Sequence, residues 1–150
     1  KDGCQCVGTF YDNKSSGEAV LVGAVWYAVP PFTEDEVFAI YDQSGEGHWC
    51  WDFGVYVQPE WRNSRAFAAS WMGASSQMRK AGFRASLSRI SLYNKSSVLA
   101  HQRLGARLIG RALFLRIGPL QILASNRKPW LKLTWRGKNP PVFSFDLAKL

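Results

Sequence analysis

Cysteine is scarce in this chain: Cys4, Cys6 and Cys50 are the only three in 150 residues. They are too few and wrongly spaced for a structural zinc site, and an odd count argues against a secreted disulfide scaffold. The setting read from them is reducing and cytosolic, with no metal site. No apolar run approaches the roughly 18 residues of a helical membrane span, so no membrane partner is expected, and no signal peptide is visible. Acidic residues are also short: 11 Asp and Glu stand against 19 Lys and Arg, a net charge of +8. That excess calls for an anionic partner, which charge alone leaves open among nucleic acid, a lipid headgroup and a phosphorylated cofactor. No repeat and no low-complexity linker divides the chain. With 47% hydrophobic and 20% charged residues, it reads as one globular domain over 1–150, long enough to bury roughly 68–70% of its unfolded surface.

What is present is organised around residues 49–82. Trp49, Trp51, Phe53, Val55 and Val57 alternate with Cys50, Asp52, Gly54 and Tyr56, the period of a strand with one face in the core. Pro59 cannot join a ladder, so the strand should end near Gln58. The next residues, 60–63, form a turn, and the Ser64 hydroxyl is placed to cap a helix over 65–80. Its apolar residues are spread widely around it: Ala66, Phe67, Ala69, Trp71, Met72, Ala74 and Met78. Arg79 and Lys80 suit the negative end of the helix dipole, and Gly82 can take the left-handed conformation that ends it. The start of such a helix presents N–H groups and positive dipole, an arrangement that binds phosphate. Arg62 and Arg65 stand there, either as solvated turn residues or as part of an anion site.

The remaining elements follow from periodicity and turn residues. Residues 4–11 and 19–29 read as a hairpin, 32–36 as polar loop and 37–41 as a short strand. After the central helix, 84–93 reads as a strand parallel to 49–57. A short helix over 97–104 should start from caps at Asn94 and Ser96 and stop at Gly105. Strands are then expected at 107–117, 120–124, 130–135 and 142–147, with 125–150 forming an extra C-terminal hairpin. The fold class is α/β: a mixed, mostly antiparallel twisted sheet around a central parallel strand-helix-strand.

Two stretches carry a family resemblance. Asn94-Lys95-Ser96-Ser97 through Gly105-Ala106 resembles the motif N-x-x-[A/S]-x-x-x-Y-x-x-x-G-F of the GNAT (Gcn5-related N-acetyltransferase) superfamily, with Asn94, Ser97 and Gly105 on matching positions. Upstream, Val57-Gln58-Pro59-Glu60-Trp61-Arg62 is similar to the family's V-x-P-E-[YW]-R, which leads into its acyl-CoA loop. Residues 68–93 between them leave room for the rest of one helix and one strand. The resemblance covers roughly 6–124. The family usually has a strand and one or two helices before its first hairpin, and this chain starts too late to contain them. It also departs from the family at Arg65 and Phe67, where small residues normally let backbone N–H groups approach a pyrophosphate closely.

The resemblance implies an acyltransferase, by family an N-acetyltransferase, that moves an acyl group from acetyl-CoA or another acyl-CoA to a small-molecule or peptide amine. It places the pantetheine arm against the backbone of Val55 and Val57. The pyrophosphate would lie on the N–H groups of Asn63, Ser64, Arg65, Ala66 and Phe67, with charge from Arg62 or Arg65, and Asn94 and Ser97 belong to the second motif beside the cofactor. His101 occupies the position where the family commonly has a Tyr acid, and the alternative is a half-buried structural histidine. Asp52 is the candidate base, against which stands a salt-bridged or solvated carboxylate, its face depending on whether a bulge falls at Gly54. Glu60 and His48 are weaker candidates, and Tyr93 reads as core.

Two other readings stay open. One is a GNAT-like domain without turnover. The other is a nucleic-acid-binding module built on seven Trp and the basic residues, as in Lys128-Pro129-Trp130-Leu131-Lys132-Leu133-Thr134-Trp135-Arg136. An edge hairpin with Trp inward and Lys outward explains that segment too and is preferred, so nucleic acid is disfavoured as a partner. The sequence leaves room for a homodimer.

Overall fold

The computed structural model describes residues 3–45, 47–62, 64–135 and 137–149. Its elements in order are β1 (Cys4–Asn13), β2 (Glu18–Ala28), β3 (Phe32–Glu34), β4 (Ala39–Gln43), β5 (Trp49–Val57), a 3-10 turn (Pro59–Trp61), α1 (Ala66–Lys80), β6 (Ala85–Leu87), α2 (Lys95–Arg103), β7 (Ala112–Ile117), β8 (Leu120–Ser125), β9 (Leu131–Trp135), β10 (Val142–Phe145) and a final 3-10 turn (Leu147–Lys149). They divide into two compact units, 1–29 with 48–95, and 30–47 with 96–150.

The first unit is a four-stranded sheet in the order β1-β2-β5-β6 carrying α1. β1 and β2 form the expected antiparallel hairpin, β2 continues antiparallel onto β5, and β5 and β6 are parallel on either side of α1. Helix α1 packs through a stripe at intervals of four, Ala66, Ser70, Ala74 and Met78, which returns to the same side every turn. The broad apolar spread read from the sequence is therefore narrower in fact: Met72 is largely exposed, and the stripe includes a serine. Small residues bring the helix close to the sheet. A Cβ on Gly23 would stand 2.4 Å from the buried Ser70 Oγ, so β2 needs glycine under α1. Ser70 Oγ donates to Ala66 O at 2.8 Å, which leaves no unpaired hydroxyl in that contact.

The helix ends as its sequence demands. Gly82 has φ +87°, Gly82 N–H bonds Arg79 O and Phe83 N–H bonds Met78 O, the paired bonds of a left-handed glycine cap. Gly105 ends α2 with the same pair, to Gln102 O and His101 O.

The β5 alternation does not place one face in the core. Trp49, Cys50, Trp51 and Asp52 are all buried, and Phe53 is exposed. Both faces of 49–52 are covered, and a bulge follows: β2 pairs Trp26 with Gly54 and Tyr27 with Asp52, leaving Phe53 as the extra residue. An extra residue reverses the phase of the side chains beyond it. Cys50 before the bulge and Val55 after it therefore reach the same cluster under α1, with Val25, Tyr27, Ala74 and Met78.

The strand expected over 84–93 is formed only at Ala85–Leu87. β6 is the sheet edge, and once β5 leaves it after Trp51↔Leu87 no ladder holds residues 88–93 extended. Tyr93, read as core, is fully exposed in a turn closed by Asn94 N–H to Ser91 O.

The second unit contains α2 and two three-stranded sheets, β10-β4-β3 and β7-β8-β9. Residues 32–36, read as loop, include β3, because Phe32 is buried and its strand pairs antiparallel with β4. The last two runs do not form a hairpin with each other: β9 pairs with β8, and β10 runs parallel to β4. Phe143 on β10 explains the exchange, since it stacks on Tyr41 of β4 with centroids 5.6 Å apart and meets Phe114 of β7 edge-on. Between the sheets Gln121 Nε2 donates to Val37 O at 2.7 Å, a buried bond that satisfies both groups. The Trp-inward reading of residues 130–135 is reversed: Trp130 and Trp135 are exposed, whereas Thr134 is buried and Lys132 half-buried.

Candidate active site

The divergence of β5 from β6 marks the candidate site within the first unit. Their parallel pairing covers Trp49↔Ala85, Cys50↔Ser86 and Trp51↔Leu87 and then stops, so among the described residues no strand lies against that edge of β5 from Phe53 to Val57. On its other edge Gln58 N–H donates to Val22 O at 3.0 Å. Antiparallel pairs alternate between bonded and non-bonded. Val57, opposite Gly23, and Val55, opposite Val25, are therefore the non-bonded kind, with N–H and C=O turned to the open edge. An extended chain laid there would meet a donor and an acceptor at each.

The turn after β5 gathers the cationic residues. Arg62 Nε donates to Val57 O at 3.3 Å, folding the guanidinium back over the strand end. Ser64 acts near its expected place: its Oγ donates to Trp61 O at 2.6 Å and accepts the Ala66 N–H at 3.0 Å. The cap position itself is Arg65, and the helix starts at Ala66 rather than 65. Arg62, Ser64 and Arg65 are exposed and Phe67 is half-buried. Asn63 lies outside the described residues.

Asp52 is the first β5 residue beyond the paired segment. It is buried, not solvated, and shares a face with Tyr27, which it opposes in register. Ser86 Oγ donates to Asp52 Oδ2. Cys50 stands one pleat away, also opposite Ser86. Burial pushes its thiol up to about 11, the Asp52 charge adds to this and the Ser86 hydrogen bond opposes it. Cys50 therefore stays a neutral thiol at pH 7, unsuited to carry an acyl group as a thiolate nucleophile. Burial, then Cys50, also raises Tyr27. The motif reading missed Ser86. Its signal was the parallel register, which puts it beside Cys50, and no spacing in the sequence reveals a register.

In the second unit His101 is buried on α2, and its Nδ1 lies 2.7 Å from Ser97 O. A carbonyl only accepts, so Nδ1 carries the proton. Ser97 Oγ is 3.4 Å from the same nitrogen. Asn94, exposed, belongs to the first unit. Glu60 and His48 are exposed, and the part His48 plays is structural, its carbonyl taking Arg84 N–H at 2.7 Å. The structure thus brings together Val55, Val57, Arg62, Ser64, Arg65, Ala66, Phe67 and Asp52 in one unit, while Ser97 and His101 stand in the other. An open cleft of about 440 Å³ in the second unit, lined by Ile109, Asn126, Arg127, Lys128, Ser144 and Phe145, contains none of them. Among the described residues no cluster of His, Cys, Asp and Glu could hold a metal, and no helix is long and apolar enough to cross a membrane.

No known family's sequence profile matches the chain, and no curated protein does. Solved structures do. The chain is similar to aminoglycoside N-acetyltransferase AAC(6')-Iy in complex with CoA, at 18% identity, 78% coverage of each chain and a TM-score of 0.57. It is similar to aminoglycoside acetyltransferase meta-AAC0020 from an uncultured soil metagenomic sample in complex with sisomicin, at 9% identity, covering 78% of this chain and 68% of that one with a TM-score of 0.54. A third is ribosomal-protein-alanine N-acetyltransferase from Brucella melitensis biovar Abortus 2308, at 13% identity, 78% and 74% coverage and a TM-score of 0.54. These likenesses establish the fold: it is the mixed α/β fold of GNAT acetyltransferases that the two motifs led us to expect.

Proposed function

We propose that the chain is an acyl-CoA-dependent N-acyltransferase. The observation that carries this reading is the open edge of β5 at Val55 and Val57, which leads directly into a basic turn and a helix start. A pantetheine arm has two amides and fits that edge as an added strand. The pyrophosphate would follow onto the α1 N–H groups, where Arg62 and Arg65 would each add a charge-assisted bond of roughly 1.5–3 kcal/mol.

In the reaction a base removes a proton from the ammonium, the freed nitrogen attacks the thioester carbon, a C–N bond forms and the C–S bond breaks. An acid returns a proton to the departing thiolate. Asp52, at the point where the strands part, is the candidate base. His101 is the candidate acid, and because Nδ1–H is held by Ser97 O, it would deliver its proton from Nε2 as the imidazolium. His101→Ala should lower turnover by roughly 10²–10⁴-fold with CoA affinity nearly unchanged. The acceptor class, an amine on an aminoglycoside or a peptide, is supported by the proteins of like fold.

Titration calorimetry with acetyl-CoA tests the reading. We expect binding that Arg62→Ala weakens about tenfold or more, and the absence of binding to the parent would overturn it. Phe67 and Arg65, bulky at the positions where the family is small and a pyrophosphate would approach the backbone, favour a second reading, a GNAT-like domain that holds CoA weakly and does not turn it over. Thiol release from acetyl-CoA with a panel of aminoglycosides and peptides separates the two.

A further inference from the structure

The outer face of the β7-β8-β9 sheet carries no polar side chain. The registers set Leu113, Ala124 and Leu131 in one row, Leu115, Ile122 and Leu133 in the next, and Ile117, Leu120 and Trp135 in the third. An antiparallel sheet with one face on its own core ordinarily turns polar residues to water on the other. Here the polar residues Arg116, Gln121, Lys132 and Thr134 fall on the inner face. Six of its large side chains remain between 49% (Leu115) and 68% (Leu131) exposed, and Leu120 and Ile122 are half-buried. With Ala124, Leu120 and Ile122 they offer on the order of 800 Å² of contiguous apolar surface, more than the 300–600 Å² of a typical monomer's largest patch.

From this face we infer that the chain forms a two-fold dimer through the outer side of β7-β8-β9. Its area is that of one partner in a standard interface of about 1,600 Å² in total. Three parallel apolar rows are self-complementary when a two-fold axis crosses the middle one, and two such faces stack as the layers of a sandwich about 10 Å apart. Charge selects a second copy over an anionic surface. A lipid headgroup layer or a nucleic acid would need cations on the contacting face, and the cations of these strands point away from it. Arg116 lies over the Phe38 ring at 4.3 Å, and Lys132 alternates with the outer residues Leu131 and Leu133. This inference does not rest on the acyltransferase reading.

Sedimentation velocity of the whole chain across about 1–100 μM tests it. The parent should sediment as a dimer, and Leu133→Glu should raise the dissociation constant by about 100-fold or more, as an unpaired charge buried in an interface does, while keeping the parent's far-UV circular dichroism. Leu133→Ser, which adds no charge, should shift the equilibrium in the same direction and serves if the glutamate variant does not fold. A parent that stays monomeric throughout overturns the inference, whether or not it binds phosphatidylserine vesicles or a single-stranded oligonucleotide. Folded variants that dimerise as tightly as the parent overturn it as well.

Discussion

On β2 and β5 the residues Val25, Tyr27, Cys50 and Val55 lie under α1 and are closed off by Ala74 and Met78. On β7, β8 and β9 a face at least as apolar lies at the surface. Alternation in the sequence is equally plain in both places. What separates them is whether the chain itself supplies the second layer that an apolar sheet face requires. Covering has consequences for chemistry as well as stability: under α1 a thiol and a carboxylate are held in a dry environment, whereas the outer face of the other sheet contains nothing to titrate. The comparison also fixes where substitutions should hurt.

The largest effect is expected at a covered tryptophan. Trp49 is fully buried, so Trp49→Ala should cost about 3–5 kcal/mol in urea unfolding. Gly23→Ala should follow at about 1–3 kcal/mol, since its Cβ collides with Ser70 and presses α1 away from β2. If that variant unfolds like the parent, the close approach is not what seats the helix. Arg62→Ala, at the open end of β5, should leave stability nearly unchanged and cost about 1.4 kcal/mol in acetyl-CoA binding, the tenfold change above.

A pH scan sharpens the comparison further. The folded thiol of Cys50 titrates at about 11 against an ordinary 9.0, so the folded state keeps a proton that the unfolded chain releases. The stability this contributes is fully present below about pH 9 and is lost as pH rises to about 11. Tyr27, raised in the same sense, adds to the decline at the upper end. Melting temperatures of Cys50→Ala should fall less steeply than the parent's between pH 9 and 11, and parallel curves would show that Cys50 is not the group responsible. The smallest effect is expected on the uncovered face, where Trp135→Ala should change the stability of the monomer by no more than about 0.5 kcal/mol.

Much of this was legible because local rules decided it. Pro59 ended β5, Gly82 and Gly105 ended the two helices, and the first hairpin followed from its alternation and turn. The V-x-P-E-W-R and Asn94–Gly105 motifs pointed to the right fold even though no sequence profile matches the chain. What was not legible depended on neighbours. The Phe53 bulge is set by how β5 meets β2, and it moved Asp52 and Cys50 to the α1 side. The shortness of β6 comes from β5 leaving it, so residues 88–93 had strand-like residues without a partner. At 130–135 the alternation was read correctly and its direction was not, because Phe143 drew β10 to β4 and left β9 at an edge. For the candidate site, the sequence pointed to the strand end at Val55 and Val57 and to the turn at Arg62 and Ser64, and the structure places these in one unit. The sequence did not mark Ser86, which reaches Asp52 only through the parallel register.

The claim that the open edge of β5 is the acyl-CoA site is tested most directly by amide hydrogen exchange at Val55 and Val57, measured by NMR with and without CoA. Both amides, turned to the open edge and bonded to no described strand, should become protected on CoA addition, while Tyr56, which pairs with β2, changes little. Binding of CoA that leaves the Val55 and Val57 amides exchanging at their original rates would contradict it.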